Sequence, residues 1–397
     1  MIRKVKFSNF YSFNKEQEIS FLAKKKKTYD YYQSKSGEQI TKVAAFIGGN
    51  ASGKTNIMRL FSFLSYFICR KVGNETQLIP DIAYKTFFNN NEPSSFYIEF
   101  ESDDLVFYYS FSFHKNLILD ESLQLKKIQK NSRKIEVFAR KANAITLLNN
   151  DFFRNLSIEE FPKIREDVSF IAFIKKSTYS VDIINTVYEY FVKFGTNINE
   201  IGQIHSPLHQ LKTLDIYLNT PALKKEAENF ISNFDLGLKG FEIKKEVIQT
   251  EREITTNINM QGIHTAKIKN NRLDFSYESR GTQSLFFSLA NILNALKNNA
   301  VVIVDEIESG FHPEALNKLI SYFIDVNKEK TAQIIFSSHS LGFMNKLDMH
   351  QLFLVEKNDK SESSVYRLNQ VKGIRSDENF LAKYMSGSYG AFPEIRV

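Results

Sequence analysis

Gly48-Gly49-Asn50-Ala51-Ser52-Gly53-Lys54-Thr55 satisfies G-x-x-x-x-G-K-[ST], a spacing suited to holding a polyphosphate. Glycines let a backbone wrap anionic oxygens, and a helix opening behind the loop aims its N–H groups at them. Lys54 adds positive charge and Thr55 offers a hydroxyl to Mg2+. Gly48, Asn50, Ser52, Gly53, Lys54, Thr55 and Asn56 are therefore the candidate contacts for ATP, with Lys54 also acting on the reacting phosphate. Downstream, Val301-Val302-Ile303-Val304 ends in Asp305-Glu306. Asp305 would share the Mg2+ shell with Thr55, and Glu306 would polarise the attacking water, because in-line hydrolysis needs both a charge-neutralising metal and a positioned nucleophile. The next apolar run, Gln333 to Ser338, delivers His339 to the same edge, where it can touch the terminal phosphate. Ser279-Arg280-Gly281-Thr282-Gln283 opens another helix and offers a second anion site, with Ser279 and Gly281 as its contacts. The plainer alternative there is an N-cap by Ser279 with Gly281 permitting the turn.

These residues need elements to place them. Val43 to Ile47 reads as a buried strand entering the phosphate loop. Asn56 to Phe67, with Ile57, Leu60, Phe61 and Leu64 at helical spacing, reads as the helix leaving it. Ile2 to Phe13 alternates and is expected as an edge strand and turn, paired with a strand over Glu18 to Leu22. Ser95 to Glu101, Leu105 to Phe113 and Ile118 to Ile128 read as further strands, Asp103-Asp104 being a hairpin turn. Helical spacing takes over from about Ala144 to Ile231, chiefly at Asp182 to Phe194 and Pro221 to Phe234, without sustained heptads. It is expected to form an inserted helical arm. Val247 to Phe275 returns to strands, and Ser284 to Leu296 begins an alternation of helix and buried strand through Phe336. The expected fold is α/β, a P-loop head with a mixed sheet, an antiparallel β-layer and an inserted helical subdomain. Its expected units are residues 1–143 with the phosphate loop, 144–240 as the helical insertion, and 241–397 with Ser279, Asp305 and His339.

Length and composition limit the alternatives. A chain of 397 residues with 43% apolar and 24% charged residues can bury two or three cores, as soluble globular proteins do. It has no run of 18 apolar residues and no apolar core near Met1, so neither a membrane span nor a signal peptide is expected. Cys69 is the sole cysteine, which excludes an intrachain disulfide and a cysteine zinc cluster. The cytoplasm is the expected location. The charge of +7 fits nucleic-acid contact or a lysine-rich composition equally. Lys24 to Lys27 reads as solvated surface, whereas Lys126, Lys127, Lys130, Arg133, Lys134, Arg140 and Lys141 form a cluster open to nucleic acid.

The order of phosphate loop, Ser-x-Gly segment, Asp-Glu pair and histidine resembles the ABC ATPases of the SMC, RecF and RecN kind. Asn9-Phe10-Tyr11-Ser12-Phe13, Asp305 to Pro313, Leu354 to Asn358 and Leu381 to Pro393 narrow the resemblance. They look like the AAA-family ATPases of bacterial phage defence, of the overcoming-lysogenization-defect and abortive-infection types. The likeness covers residues 1 to about 115 and 230 to 397. It implies a homodimer or larger homo-oligomer clasping ATP between one copy's phosphate loop and the other's Ser279 and Gly281. Arg280 departs from the Gly-Gly of transporter-type signatures. Gln124 is the candidate for the Mg2+-sensing glutamine of such heads. The biology implied is a sensor or regulator ATPase controlling a separately encoded nuclease or toxin; the alternative is a RecF-like DNA repair ATPase. Leu354 to Asp359 also resembles the opening of a Toprim nuclease, but Asp377 is the only later aspartate, so a last sheet strand is expected there.

Overall fold

The computed structural model describes residues 1–23, 28–69, 84–115, 117–129, 132–154, 156–161, 164–199, 202–203, 207–234, 237–249, 254–265, 271–310 and 312–392. A six-stranded mixed sheet forms the centre, in the order Gly195–Thr196, Val301–Val304, Gln333–Ser337, Val43–Ile47, Leu352–Lys357, Ser363–Arg367. All neighbours run parallel except the last pair. Parallel strands covered on both faces read as continuous apolar runs, which is why residues 43–47 and 301–304 carry no polar position.

Side-chain alternation divides these strands between two cores. Ala44, Phe46, Val301, Ile303, Ile335 and Phe353 face one; Ala45, Ile47, Val302, Val304, Ile334 and Phe336 face the other. The first core holds the phosphate-loop helix Lys54–Cys69 and a seven-stranded antiparallel sheet. That sheet runs Ala144–Leu148, Ile135–Lys141, Leu117–Lys127, Leu105–His114, Ser94–Ser102, Ile2–Ser8, Gln17–Ser20. Phenylalanines join helix to sheet: Phe67 lies 4.5 Å from Phe111, and Phe63 lies 5.1 Å from Phe96. The second core packs helix Arg280–Asn298 with Pro313–Val326. A parallel core beside an antiparallel layer is the α/β class expected for an ABC-type head.

Three expectations need correction. Ile2–Ser8 is not an edge strand, because it pairs with Gln17–Ser20 on one side and Ser94–Ser102 on the other. Alternation reveals which face is buried, not how many neighbours a strand has. Residue 144 does not begin the helical region, since Ala144–Leu148 extends the antiparallel sheet by pairing with Ile135–Lys141. Nor do the helices form one arm. Phe170–Lys176 and Asp182–Val192 pack into the first core, Pro207–Asn219 and Pro221–Ser232 into the second, and Gly195–Thr196 between them joins the central sheet.

One ionic contact fastens the first group of helices. Glu121 and Arg140, both fully buried, meet at 2.7 Å across adjacent strands. Glu121 also accepts from the Tyr109 hydroxyl at 2.7 Å and from the Phe170 N–H at 3.0 Å, at the start of helix Phe170–Lys176. Arg140 donates to the carbonyls of Arg165 and Val168. Arg140 is therefore a structural cation and leaves the basic cluster expected to meet nucleic acid. Lys24 to Lys27 and Lys130 lie outside the described residues.

Candidate active site

The phosphate loop is shaped by what surrounds it. A Cβ on Gly48 would stand 2.0 Å from the Val355 carbonyl oxygen, so the neighbouring strand permits only glycine there. The loop's inner side is pinned by Ser363, whose hydroxyl donates to the Ser52 carbonyl at 2.6 Å and meets the Ser12 hydroxyl at 2.8 Å. Asn56 donates to that same Ser12 at 2.8 Å and accepts from Arg59 at 3.0 Å, so its amide is engaged in holding the loop's flank. Asn50 sits exposed at the tip. The Ser52 hydroxyl is buried with no hydrogen-bond partner among the described residues.

Lys54, only 5% exposed, donates from Nζ to the carbonyls of Gly48 and Gly49 at 2.8 and 2.9 Å. Burial pushes its pKa down to about 8, against the opposing pull of Asp305, Glu308 and Glu306. Thr55 Oγ1 lies 3.4 Å from Asp305 Oδ1, which also accepts from the Ser337 hydroxyl at 2.6 Å. Burial raises the Asp305 pKa, while Ser337, Thr55 and Lys54 hold it down. Strands Val43–Ile47 and Val301–Val304, separated by Gln333–Ser337, thus bring Lys54 and Thr55 against Asp305.

Glu306 adopts φ +46, the left-handed region that costs a non-glycine residue about 1–2 kcal/mol. Its N–H donates to the Ser337 hydroxyl at 2.8 Å, so one serine fixes both acidic residues. The bend turns the half-exposed Glu306 carboxylate to 3.9 Å from His339 Nε2. His339 is placed by Glu308, whose Oε1 accepts from the N–H groups of His339 and Ser340, the latter at 3.2 Å. The hydroxyl orphaned inside the loop, the ammonium beside it and the Thr55–Asp305 pair fit a phosphate chain with a hard divalent cation. Thr55 and Asp305 would hold Mg2+, and the loop backbone with Lys54 would hold ATP.

Three residues at this site carried no signal in the sequence. Asn197 brackets the Asp305 backbone, donating to its carbonyl at 2.9 Å and accepting from its N–H at 2.8 Å. Gln203 donates to the same carbonyl at 3.2 Å and to Glu306 Oε2 at 3.3 Å. Glu308 is the third. Gln124 is not at the site; it pairs with Glu136 in the antiparallel sheet. Gln203 instead reaches Asp305 and Glu306 from the segment after strand Gly195–Thr196, and only that position could have revealed it.

Ser279 and Gly281 form no hydrogen bond with residues 48–55 among the described residues. Ser279 caps helix Arg280–Asn298, accepting from the Thr282 N–H at 3.0 Å. Gly281 is not a turn residue but lies buried inside the helix's first turn. Gly310, at φ +83, packs so closely that a Cβ on it would stand 3.3 Å from the Gly281 nitrogen. The loop after Asp305, which carries Glu306, therefore touches both the Ser279 helix and the His339 loop of the same chain. Glu356, the residue of the Toprim-like segment, accepts from the Tyr366 hydroxyl at 3.3 Å and the Ala391 N–H at 3.2 Å, on a strand beside the phosphate-loop strand.

The family model described as "AAA domain, putative AbiEii toxin, Type IV TA system" matches residues 43–345, which span the phosphate loop, the Ser279 helix, Asp305-Glu306 and His339. The chain belongs to this AAA-domain family. No curated protein matches it. Similar solved structures include an Smc head bound to the C-winged helix domain of ScpA (15% identity, 92% of this chain and 97% of that one, TM-score 0.46). The SMC head domain from Thermotoga maritima is also similar (13% identity, 92% and 98% covered, TM-score 0.39). So is an Smc head with an extended coiled coil bound to the C-terminal domain of ScpA from Pyrococcus furiosus (13% identity, 93% and 97% covered, TM-score 0.40). As an AAA domain, the chain carries nucleotide-binding machinery on an α/β head. No helix among the described residues is long and apolar enough to cross a membrane.

Proposed function

We propose that this AAA domain is a Mg2+-dependent ATPase whose two copies close on ATP, and that it acts in the cytoplasm as the sensor or regulator of a bacterial antiphage system controlling a separately encoded nuclease or toxin. The observation that carries the catalytic part is the convergence of Lys54 and Thr55 on Asp305, with Glu306 held out beside His339. Bound Mg2+ would neutralise charge on the terminal phosphates. The chain's own residues do the rest. Lys54 exchanges its two carbonyl partners for phosphate oxygens, Ser337 fixes Asp305, and Gln203 and the bent backbone aim Glu306, which accepts the proton of the attacking water. His339, 3.9 Å from Glu306, would donate to the terminal phosphate.

Ser279 and Arg280 are exposed beside Tyr277, which is 77% exposed. This supports their serving nucleotide held by a second copy, since they make no bond to their own loop. The regulatory part rests on the family description, which names a toxin and a toxin–antitoxin system. Burial of Arg140 takes one cation from the cluster that would favour the DNA-repair alternative. Sedimentation velocity of Glu306→Gln protein with ATP tests the shared pocket. A dimer lost in the Ser279→Arg variant is expected; a strict monomer at every concentration would refute it.

A further inference from the structure

The chain that leads into Ser279 leaves a small sheet separate from the two described above. In it, Leu238–Gln249 pairs antiparallel with Ile254–His264, which pairs antiparallel with Arg272–Asp274. Phe275 follows directly and is buried, its ring 5.6 Å from Phe241 of that sheet and 5.3 Å from Phe286 of helix Arg280–Asn298. The side chains then alternate in direction. Tyr277 and Ser279 are exposed, whereas Glu278 between them is only 7% exposed. A carboxylate is the least expected group to turn inward there, because burial strips its charge of water.

Two residues of the sheet's middle strand receive it. His264 donates from Nε2 to Glu278 Oε1 at 2.8 Å. Gly262, two positions away on the same strand face, leaves room for that oxygen, since a Cβ on it would stand 1.9 Å from Glu278 Oε1. Gly262 is not among the glycines with left-handed φ, so close approach is what calls for glycine there. The turn's backbone is gathered by a second group. The Gln283 amide donates to the carbonyls of Phe275, Ser276 and Glu278 at 2.9, 3.2 and 3.0 Å. Gln283 belongs to the helix that Ser279 caps, so it holds the turn to the helix, whereas Glu278 ties the turn to the sheet.

The two anchors of this turn differ in kind. Packing of Phe275 is non-directional, whereas the bond between Glu278 and His264 fixes both a distance and an angle. A buried charged pair adds little stability over an apolar one, yet removing one partner strands the other. We propose that Glu278 is a positioning residue for the shared ATP pocket: docked on His264 in the notch left by Gly262, it fixes the turn that presents Ser279 to nucleotide held by a second copy. This rests on the two-copy pocket proposed above. It adds the small sheet as the part of each copy that sets the Ser279 half of that pocket, while Glu278 itself touches no nucleotide.

The test compares Glu278→Ala, Glu278→Gln and Gly262→Ala in the full chain carrying Glu306→Gln. Hydrogen–deuterium exchange without nucleotide reads the turn, and sedimentation velocity with Mg-ATP reads the dimer. Glu278→Ala is expected to speed amide exchange over residues 275–283 and to weaken the dimer, each about tenfold. Gly262→Ala, whose Cβ displaces the carboxylate without removing it, should act in the same direction. Glu278→Gln still accepts from His264 and should restore both readings. Affinity for ADP, which lacks the phosphate that Ser279 would meet, should be unchanged in all three. The proposal is overturned if Glu278→Ala leaves exchange and dimer as in the parent, if Glu278→Gln is impaired as much as Glu278→Ala, or if ADP affinity falls in step. A dimer lost in Ser279→Arg but kept in Glu278→Ala overturns this inference and leaves the shared pocket standing. A parent that never dimerises refutes the shared pocket and, with it, the role given to Glu278, even where the exchange data show the turn to be held.

Discussion

Replacing Asn197 with alanine tests whether the site is held as described. Its amide makes the 2.9 and 2.8 Å bonds that bracket the backbone of Asp305, a residue 2% exposed. Truncation orphans the Asp305 N–H outright, which costs about 1–3 kcal/mol for a buried donor. The carbonyl keeps Gln203 at 3.2 Å, so its loss is closer to one net hydrogen bond, about 1 kcal/mol. Together these amount to roughly 2–4 kcal/mol, or about 30- to 1000-fold in rate at 1.4 kcal/mol per decade if the whole effect falls on carboxylate placement. Lys54 and residues 48–53 make no hydrogen bond to Asn197 among the described residues, so nucleotide affinity should stay within about threefold. Steady-state turnover at saturating Mg-ATP, paired with binding of a fluorescent ATP analogue, separates the two. A lowered kcat with retained affinity is expected, and Asn197→Asp, which keeps the acceptor but not the donor, should fall between. A folded Asn197→Ala protein with wild-type kcat would show that Asn197 does not hold Asp305 in its working position.

Other expectations follow from the same contacts. Lys54 is buried with a pKa of about 8, and phosphate oxygens would raise it. ATP binding should therefore take up protons above pH 8 and weaken as pH rises further, seen as a buffer-dependent enthalpy in titration calorimetry; a buffer-independent enthalpy at pH 8.5 would count against it. Glu308→Ala should lower kcat about tenfold through loss of the His339 and Ser340 anchors, while Glu308→Gln, which still accepts, should retain most of it; equal loss in both would deny the positioning role. Gly310→Ala forces a Cβ into the left-handed region against Gly281 and should weaken ATP-driven dimers, measured by sedimentation. Arg140→Met leaves Glu121 charged and buried, and denaturant titration should show a loss of about 3–5 kcal/mol, partly recovered when Glu121→Gln is added.

The placement of candidate groups was legible in the sequence wherever one short segment contained both the element and the group. The phosphate loop, the apolar strand ending in Asp305-Glu306 and the strand ending at His339 each combine an element and a functional group within a few residues. What escaped were groups whose role depends on long-range pairing. Asn197 and Gln203 act because a two-residue strand, Gly195–Thr196, docks beside Val301–Val304, and so short a strand has no periodicity to read. Glu308 had no role of its own within Asp305 to Pro313, because the loop it anchors at His339 lies 31 positions later in the chain. The helical region was misjudged for a related reason: amphipathic spacing marks a buried face but does not say which of two cores receives it. Arg140 counted as basic surface because its partner Glu121 lies on another strand, 19 positions earlier in the chain.

In the proposed reaction one carboxylate, Glu306, drives hydrolysis at a phosphate site built around Lys54. Single-turnover ATP hydrolysis by Glu306→Gln, with ATP affinity measured on the same preparation, tests it most directly. A rate reduced by about 10²- to 10⁴-fold with affinity preserved is expected, whereas Lys54→Ala loses affinity itself. Glu306→Gln protein that hydrolyses ATP as fast as the unaltered chain would contradict it.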